Sequence, residues 1–241
     1  MQDNKNNLTL FGIILGLSII VSFGIASFTF YKLRGNDYIS TTGSATKEVT
    51  SDSVKWTSTI TRTVTLATMK DGYTKMATDL TDVKAFLATS GIPETSINIA
   101  PIFMNENYDN SSQAYKTYNL TQNIVVQSSD VQKIADLSKN TGPLVIDKGI
   151  LFSTVALEYY YSKLPEERIA LLADAVTDAK ARAEKLAEAG GKKIGSLQSA
   201  SSGVVQVLSP NSANISDYGT YDTSSIQKEI MITVKASFKI K

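Results

Sequence analysis

The side chains that carry most enzyme chemistry are missing from this sequence, which has neither histidine nor cysteine among its 241 residues. Their absence removes the commonest general base, the commonest metal ligand, thiolate nucleophiles and disulfide bonds. A hydrolase would have to use a serine–lysine pair or paired carboxylates, and no such constellation stands out. We therefore assign no catalytic, cofactor-binding or metal-binding residue, expect no cofactor, and predict a protein that is not an enzyme.

One polar segment contains a conceivable cation site. In residues 209–225, SPNSANISDYGTYDTSS, Asp217 and Asp222 flank Tyr218 and Tyr221. Carboxylate oxygens bind hard cations such as calcium, but this spacing matches no known calcium loop. Solvated acids in a long, mobile loop are the simpler interpretation.

Two strand segments have side chains suited to ligand binding. Tyr159, Tyr160 and Tyr161 could stack against bases or sugars, although aromatic residues are also ordinary strand formers. The alternation between Val54 and Ala67 places five threonines on one face, which we name the threonine row: Thr57, Thr59, Thr61, Thr63 and Thr65. Such a row is typical of an ice- or glycan-binding surface, and more commonly of a solvated sheet face.

The elements that must position these residues follow from hydrophobic periodicity. Helices are predicted at Asp71–Gly91, Val131–Lys139 and Leu164–Ala189. Strands or extended segments are predicted at Tyr38–Val49, Val54–Ala67, Ile97–Met104, Tyr115–Gln127, Gly149–Ser162, Ile194–Leu208 and Ile226–Lys241, with a hairpin loop at Asn105–Ser112. An interruption at Ser199–Gly203 divides the segment Ile194–Leu208. The order ββαββαβαββ indicates an α+β fold in which helices pack on antiparallel strands.

Inward faces are predicted for three of these elements. The strand beginning at Gly149 should bury Leu151, Val155, Leu157, Tyr159 and Tyr161. The long helix should bury Ile169, Leu172, Ala173, Val176, Ala179, Ala183, Leu186 and Ala187. The strand from Ile226 should bury Ile226, Ile230, Ile232, Val234, Ala236, Phe238 and Ile240, with Lys235, Lys239 and Lys241 outward. Arg62, on the apolar face of its strand, suggests a sheet end or a subunit contact.

The segment Leu8–Tyr31 contains no charged residue and is long enough to span a bilayer as a helix. We predict a tail at residues 1–7, a transmembrane anchor at 8–31, a tether at 32–37 and one domain at 38–241. A signal peptide cleaved after Gly24-Ile25-Ala26 is the alternative. Gly12 and Gly16 have the G-x-x-x-G spacing of helix dimers, although glycine is ordinary in membrane helices. The flanking charges lean slightly toward a cytoplasmic domain.

The charge balance argues against nucleic-acid binding. The chain has 24 basic and 23 acidic residues. Setting aside Lys5, Lys32, Arg34 and Asp3 near the anchor leaves 21 basic and 22 acidic residues beyond it, a charge near −1. A nucleic-acid binder needs a basic face. The absence of cysteine fits an oxidising compartment outside the cytoplasm, although many cytosolic domains also lack it.

Several stretches resemble one known family. They are Thr42-Gly43-Ser44-Ala45, Leu87–Pro93, Gly149-Ile150-Leu151-Phe152, and AVTDAKARAEKLAEAGG at Ala175–Gly191 followed by Lys193-Ile194-Gly195. Together they resemble the SIMPL (DUF541) domain of bacterial envelope proteins over Asp37–Lys241. The resemblance implies a single-pass inner-membrane protein whose domain faces the periplasm or cell exterior, against the flank charges. Relatives include ring-like or channel-like oligomers and proteins linked to oxidative-stress tolerance, and the family supplies no catalytic residues.

These observations leave three functional hypotheses. The first is a non-enzymatic, membrane-anchored envelope protein that forms homo-oligomers or binds other partners, with a role in envelope or oxidative stress. The second is a glycan- or lipid-binding module that uses the tyrosines or the threonine row. The third, ranked last, is a hydrolase based on serine and lysine or on carboxylates. The sequence does not identify the other protein partners.

Overall fold

The computed structural model describes residues 3–34, 37–107, 116–212 and 214–241. Its helices are α1 (Asp3–Arg34), α2 (Met69–Thr89), α3 (Val131–Lys139), α4 (Gly142–Ile146) and α5 (Leu164–Ala189), with a short 3-10 helix at Glu94–Ser96. Its strands are β1 (Tyr38–Thr50), β2 (Ser53–Thr65), β3 (Ile97–Asn107), β4 (Thr117–Ser128), β5 (Leu151–Tyr160), β6 (Ile194–Ser202), β7 (Gln206–Leu208), β8 (Thr220–Tyr221) and β9 (Gln227–Ile240). The α+β class is confirmed.

The element order differs from the prediction in two details. A short helix, α4, begins at Gly142 soon after α3 ends, because Pro143 is well placed in a first helical turn. After α5, the two extended segments become β6 to β9. The predicted loop at Asn105–Ser112 begins with the last residues of β3, and its residues 108–112 lie outside the described residues.

Helix α1 extends beyond the predicted anchor at both ends. Its stretch Phe11–Phe30 is long and apolar enough to cross a membrane, by length and composition. The hydroxyls of Ser18, Ser22 and Thr29 donate to carbonyl oxygens of their own helix, each at 2.8 Å. These three hydroxyls therefore satisfy their hydrogen bonds locally, as a hydrocarbon environment requires of buried polar groups.

The chain forms two compact units, each assembled from separated segments. The first comprises Met1–Ser44, Asp174–Gly203 and Thr233–Lys241, and the second comprises Ala45–Ala173 and Val204–Ile232. Strands β1 and β9 and helix α5 contribute residues to both units.

The second unit contains a four-stranded antiparallel sheet in the order β3-β4-β2-β5. Helices α2 and α3 pack on one face of it. Strand β2 turns Trp56, Ser58, Ile60 and Val64 into the core, whereas Leu66 follows the end of the strand and is exposed. The core also takes Met76, Val83 and Leu87 from α2, Ile134 from α3, and Leu120, Ile124 and Val126 from β4.

The predicted inward face of β5 is wrong in its first half. Leu151 and Val155 are exposed, and Phe152 is buried instead. The pairing of β5 with β2 shifts register between Thr57 and Ser58, which inserts one extra residue into β5. Such a β-bulge reverses the alternation, so Phe152 and Thr154 share the inner face with Leu157 and Tyr159.

In the first unit, helix α5 packs very closely against β1. A Cβ built on Gly43 would overlap the carbonyl oxygen of Ala175 and the backbone nitrogen of Ala179. The Thr41 hydroxyl donates to the carbonyl of Ala179 at 2.7 Å, and the carboxylate of Asp178 accepts the backbone N–H of Ser44 at 2.8 Å. Only glycine at this position of β1 allows backbone to approach backbone so closely.

The buried stripe of α5 is narrower than predicted. It recurs at every fourth residue, through Leu171, Ala175, Ala179, Ala183 and Ala187. The larger predicted side chains Ile169 and Leu186 are exposed. The predicted ends of α5, by contrast, match the structure at Leu164 and Ala189.

Strand β9 follows its predicted alternation. Ile230, Ile232, Val234, Ala236 and Phe238 are buried, while Lys235, Lys239 and Lys241 are exposed. One side of β9 is paired with β1, and the other is paired with β7 over Glu229–Met231 and then with β6 over Val234–Ile240.

Candidate functional site

The threonine row lies on the face of the four-stranded sheet that points away from the core. We call this face the outer sheet face. Cross-strand pairing continues the row sideways, because Thr61 lies opposite Thr121 and Leu151, and Thr121 lies opposite Phe103. Many other members of the face are polar and uncharged, among them Asn105, Asn107, Thr117, Asn119, Asn123 and Ser153.

Side chains on the outer sheet face hydrogen-bond to one another across the strands. The Thr63 hydroxyl donates to Asn119 Oδ1 at 2.8 Å, and Asn119 Nδ2 donates to Asn107 Oδ1 at 2.6 Å. Such cross-strand pairs stabilise a sheet by a few tenths of a kcal/mol to about 1 kcal/mol each. They also hold the hydroxyl and amide groups in fixed positions.

Charge is confined to one end of this face among the described residues of the sheet. There Lys55 Nζ lies 2.9 Å from Glu158 Oε2, and the hydrogen bond between them raises the pKa of Lys55 and lowers that of Glu158. Three apolar side chains stay accessible: Phe103 at 57%, Leu151 at 59% and Val155 at 62%. The outer sheet face is therefore a neutral, partly apolar surface.

The tyrosine triplet does not form a stacking platform. Tyr159 is buried in the core, and burial raises its pKa. The hydroxyls of Tyr160 and Tyr161 donate to Glu158 at 3.1 Å and to Glu167 at 3.4 Å. Successive residues of a strand point to opposite faces, so the three rings do not line one surface.

The carboxylate of Asp222 is engaged by its own loop. It accepts hydrogen bonds from the backbone N–H groups and the hydroxyls of Ser224 and Ser225. Burial alone would raise its pKa, but these hydrogen bonds outweigh burial and hold the pKa well below its usual range. Asp217 is exposed, and among the described residues no three acidic side chains form a group that could hold a metal ion. This loop is organised by internal hydrogen bonds.

Lys228, which was not among the predicted site residues, is fully buried. Its Nζ donates to the backbone carbonyls of Asp222 at 2.5 Å and Ser225 at 2.8 Å, and it lies 3.7 Å from the Asp222 carboxylate. Burial lowers the pKa of Lys228, and Asp222 partly opposes this effect. The sequence pattern does indicate this burial, since Lys228 occupies an inward position of the alternation between Ile226 and Ile230.

Arg62, on the apolar face of β2, has an intramolecular partner. Its Nε and Nη2 donate to the two carboxylate oxygens of Asp79 on α2, at 2.5 and 2.7 Å. That bidentate hydrogen bond raises the pKa of Arg62. Asp79 is only 5% exposed, so the pair joins β2 to α2 at the border of the core.

An apolar N-terminal helix followed by a strand-rich α+β region defines a class of protein suited to membrane anchoring. The family model of SIMPL, described as a protein of unknown function (DUF541), matches residues 39–238. The chain belongs to the SIMPL family. No curated protein matches the sequence. The apolar helix has the properties of a membrane anchor, and a signal sequence has the same properties.

Proposed function

We propose that this protein is a membrane-anchored envelope protein that works by binding rather than by catalysis, and that its copies self-assemble through the outer sheet face. The observation that carries the proposal is the depletion of charge on that face. A surface meant to stay soluble and unassociated is designed with about 25–35% charged residues. Depletion of charge together with exposed aromatic side chains is the compositional signal of an interface core.

The buried lysine supports binding over catalysis. A serine–lysine hydrolase needs the lysine amine beside a serine hydroxyl. Here Lys228 donates to the backbone carbonyl of Ser225, whose hydroxyl donates to Asp222 instead. The Lys228 amine and the Ser225 hydroxyl therefore make separate hydrogen bonds within the loop, and neither is placed to activate the other.

Substituting Thr61, in the middle of the outer sheet face, tests the proposal. Thr61→Lys adds a charge that an assembled interface would have to desolvate, at a cost of several kcal/mol. Thr81→Lys, on the exposed side of α2, is the matched control. Light scattering of the full chain in detergent should show an oligomer for the native chain and Thr81→Lys, and a smaller particle for Thr61→Lys. A native chain that is monomeric at high concentration would refute self-assembly.

Glycan is the second candidate partner for the same face, favoured by its fixed array of hydroxyl and amide groups beside Phe103. Such groups exchange hydrogen bonds with neutral sugars, and an aromatic ring packs on their apolar faces. A glycan array probed with the full chain tests this idea. Binding that is lost in Phe103→Ala and kept in Tyr73→Ala, an exposed aromatic on α2, would favour glycan over a second copy.

We further propose an inner-membrane location with the region after α1 facing the periplasm or cell exterior, and a contribution to survival under envelope or oxidative stress. The resemblance to SIMPL relatives supports both points. Protease added to spheroplasts should digest residues beyond the anchor, and a deletion strain should survive peroxide less well than its complemented parent. Digestion only after the membrane is lysed would reverse the orientation.

A further inference from the structure

Strand β6 has one unpaired edge. It pairs along one side with β9, in regular antiparallel register from Ser199 opposite Ser237 to Ser202 opposite Val234. None of the described strands lies on its other side. The residues from Ser196 to Ser202 are all exposed.

The register identifies the main-chain groups that point outward. Gly203 N donates to the carbonyl oxygen of Thr233, the residue opposite it in this register. In an antiparallel pair, hydrogen-bonded and non-hydrogen-bonded residues alternate. Ser201 and Ser199 therefore face β9, and Ala200 and Ser202 direct their N–H and C=O groups to the open edge.

The other long edges each carry a protective device. In the first unit, the Asp178 carboxylate accepts the N–H of Ser44 on β1. In the second unit, β3 has Pro101 and a register shift between Ile99 and Ile102, and Tyr159 N of β5 donates to Thr223 O at 2.8 Å. Natural sheets use such devices to prevent edge-to-edge pairing.

Strand β6 lacks these devices over its regular part. Its register shifts fall before Ser199, and the chain has no charged residue from Ile194 to Ser216. The side chains at the open edge are serine and alanine, which allow another strand to approach closely. An exposed, uncharged edge of this kind is a template for strand addition.

We propose that β6 pairs antiparallel with β6 of a second copy, which continues the sheet across a two-fold axis. Each copy presents the same edge, so the contact is self-complementary. Pairing two uncharged segments also brings no like charges together. This inference rests on the proposed self-assembly and adds a second contact to it. Anchoring in one membrane would raise the effective concentration of the copies and so favour this contact.

Disulfide trapping tests the contact directly, because the native chain has no cysteine. Registers centred on Ala200 or on Ser201 place identical residues about 4.5–5.5 Å apart between Cα atoms, within the range for disulfides. Full chains carrying Ala200→Cys or Ser201→Cys, in membranes under mild oxidation, should yield covalent dimers in at least one case. Ala77→Cys, an exposed alanine on α2, is the matched control and should stay monomeric. Equal yields for all three variants would overturn the proposal.

A proline substitution separates this contact from self-assembly in general. Ala200→Pro removes an outward N–H and leaves the hydrogen bonds to β9 intact, as proline does on edge strands. We expect it to abolish the β6 contact with an unchanged circular dichroism spectrum. If the oligomer is unaffected by Ala200→Pro and the cysteine variants form no disulfide-linked dimer, the β6 contact is refuted while self-assembly through another surface is still supported. A native chain that is monomeric in every assay would refute both.

Discussion

At the scale of single residues, Lys228 is in the environment that lysine ordinarily avoids. Lysine is seldom buried without partners, yet this side chain is fully enclosed and donates to two backbone carbonyls. Those bonds tie the loop at Asp222–Ser225 to β9. The ammonium group therefore replaces water at carbonyls that would otherwise be unsatisfied, in exchange for the cost of burying a charge.

The lowered pKa of Lys228 predicts a rise in stability at alkaline pH. The unfolded lysine has a pKa of about 10.4, and burial lowers the folded value. Between the two values the unfolded chain binds more protons, so the free energy of unfolding increases with pH, by about 1.4 kcal/mol for each unit of pKa lowering. At pH values below the pKa of Lys228 in the folded protein, the free-energy cost of burying its charge does not change with pH. Lys228→Met should abolish this rise.

The measurement is urea unfolding of the full chain in detergent from pH 7 to 10.5, read as the native value minus that of the variant. The difference cancels the tyrosines and other lysines that titrate in the same range. Lys235→Met, an exposed lysine on β9, is the control and should leave the native pH dependence in place. Parallel curves for the native chain and Lys228→Met would contradict the prediction.

Residue environments were predictable to the extent that a local pattern determines them. The alternation of β9 correctly located its buried apolar residues and outward lysines. The same alternation places Lys228 inward, but a lysine there is explained only by the carbonyls of Asp222 and Ser225, which the loop brings close. The pairing of Arg62 with Asp79 likewise depends on how α2 crosses β2.

At the scale of elements, Gly43 sets the distance between β1 and α5. We predict that Gly43→Ala lowers the free energy of unfolding by about 1–3 kcal/mol or more, because the new methyl group meets backbone atoms that cannot rotate away. Gly190→Ala is the control, since its Cβ would lie 3.5 Å from the nearest atom, an ordinary contact. Urea unfolding measures the loss of stability in both variants. Equal losses for Gly43→Ala and Gly190→Ala would show that β1 and α5 leave room for a methyl group at position 43.

The elements themselves were largely predictable, whereas two of their faces were predicted only in part. Pro165 and the glycines at 190 and 191 mark the ends of α5, and local chemistry sufficed there. Its buried face was predicted in part. The alanines at 179, 183 and 187 are buried as expected, whereas the larger Ile169 and Leu186 are exposed, because close packing beside Gly43 selects small side chains. The first half of the β5 face was wrong because the bulge at Val155 arises from pairing with β2, a contact distant in sequence.

At the scale of the whole molecule, α1 contains the stretch that is long and apolar enough to cross a membrane. We predict that mature protein from the membrane fraction retains its N-terminal residues and resists extraction by alkaline carbonate, because Phe11–Phe30 is 20 residues long and about 20 apolar residues span a bilayer core. Intact mass spectrometry checks the N-terminus. A mature chain that begins after Ala26 would identify the segment as a signal peptide.

The α+β class was visible in the sequence, but the two units were not. Periodicity indicates where each strand lies but not which strand it pairs with. One domain was therefore predicted for residues 38–241. The structure assembles the first unit from three separated segments and the second from two. Such interleaving is a property of long-range pairing, which leaves no local pattern.

The pairing of the ends of this chain also sets the order in which it can fold during synthesis. Ile240 N donates to the carbonyl of Asp37 at 3.0 Å, and the Ser237 hydroxyl donates to the Ser40 hydroxyl at 3.3 Å. At about 5–20 residues per second, β1 leaves the ribosome roughly 10–40 seconds before β9. A ribosome stalled before β9 therefore holds a nascent chain whose first strand has no partner. Helix α1 leaves the ribosome earlier still, so its apolar stretch Phe11–Phe30 is available to a membrane long before the first unit is able to close.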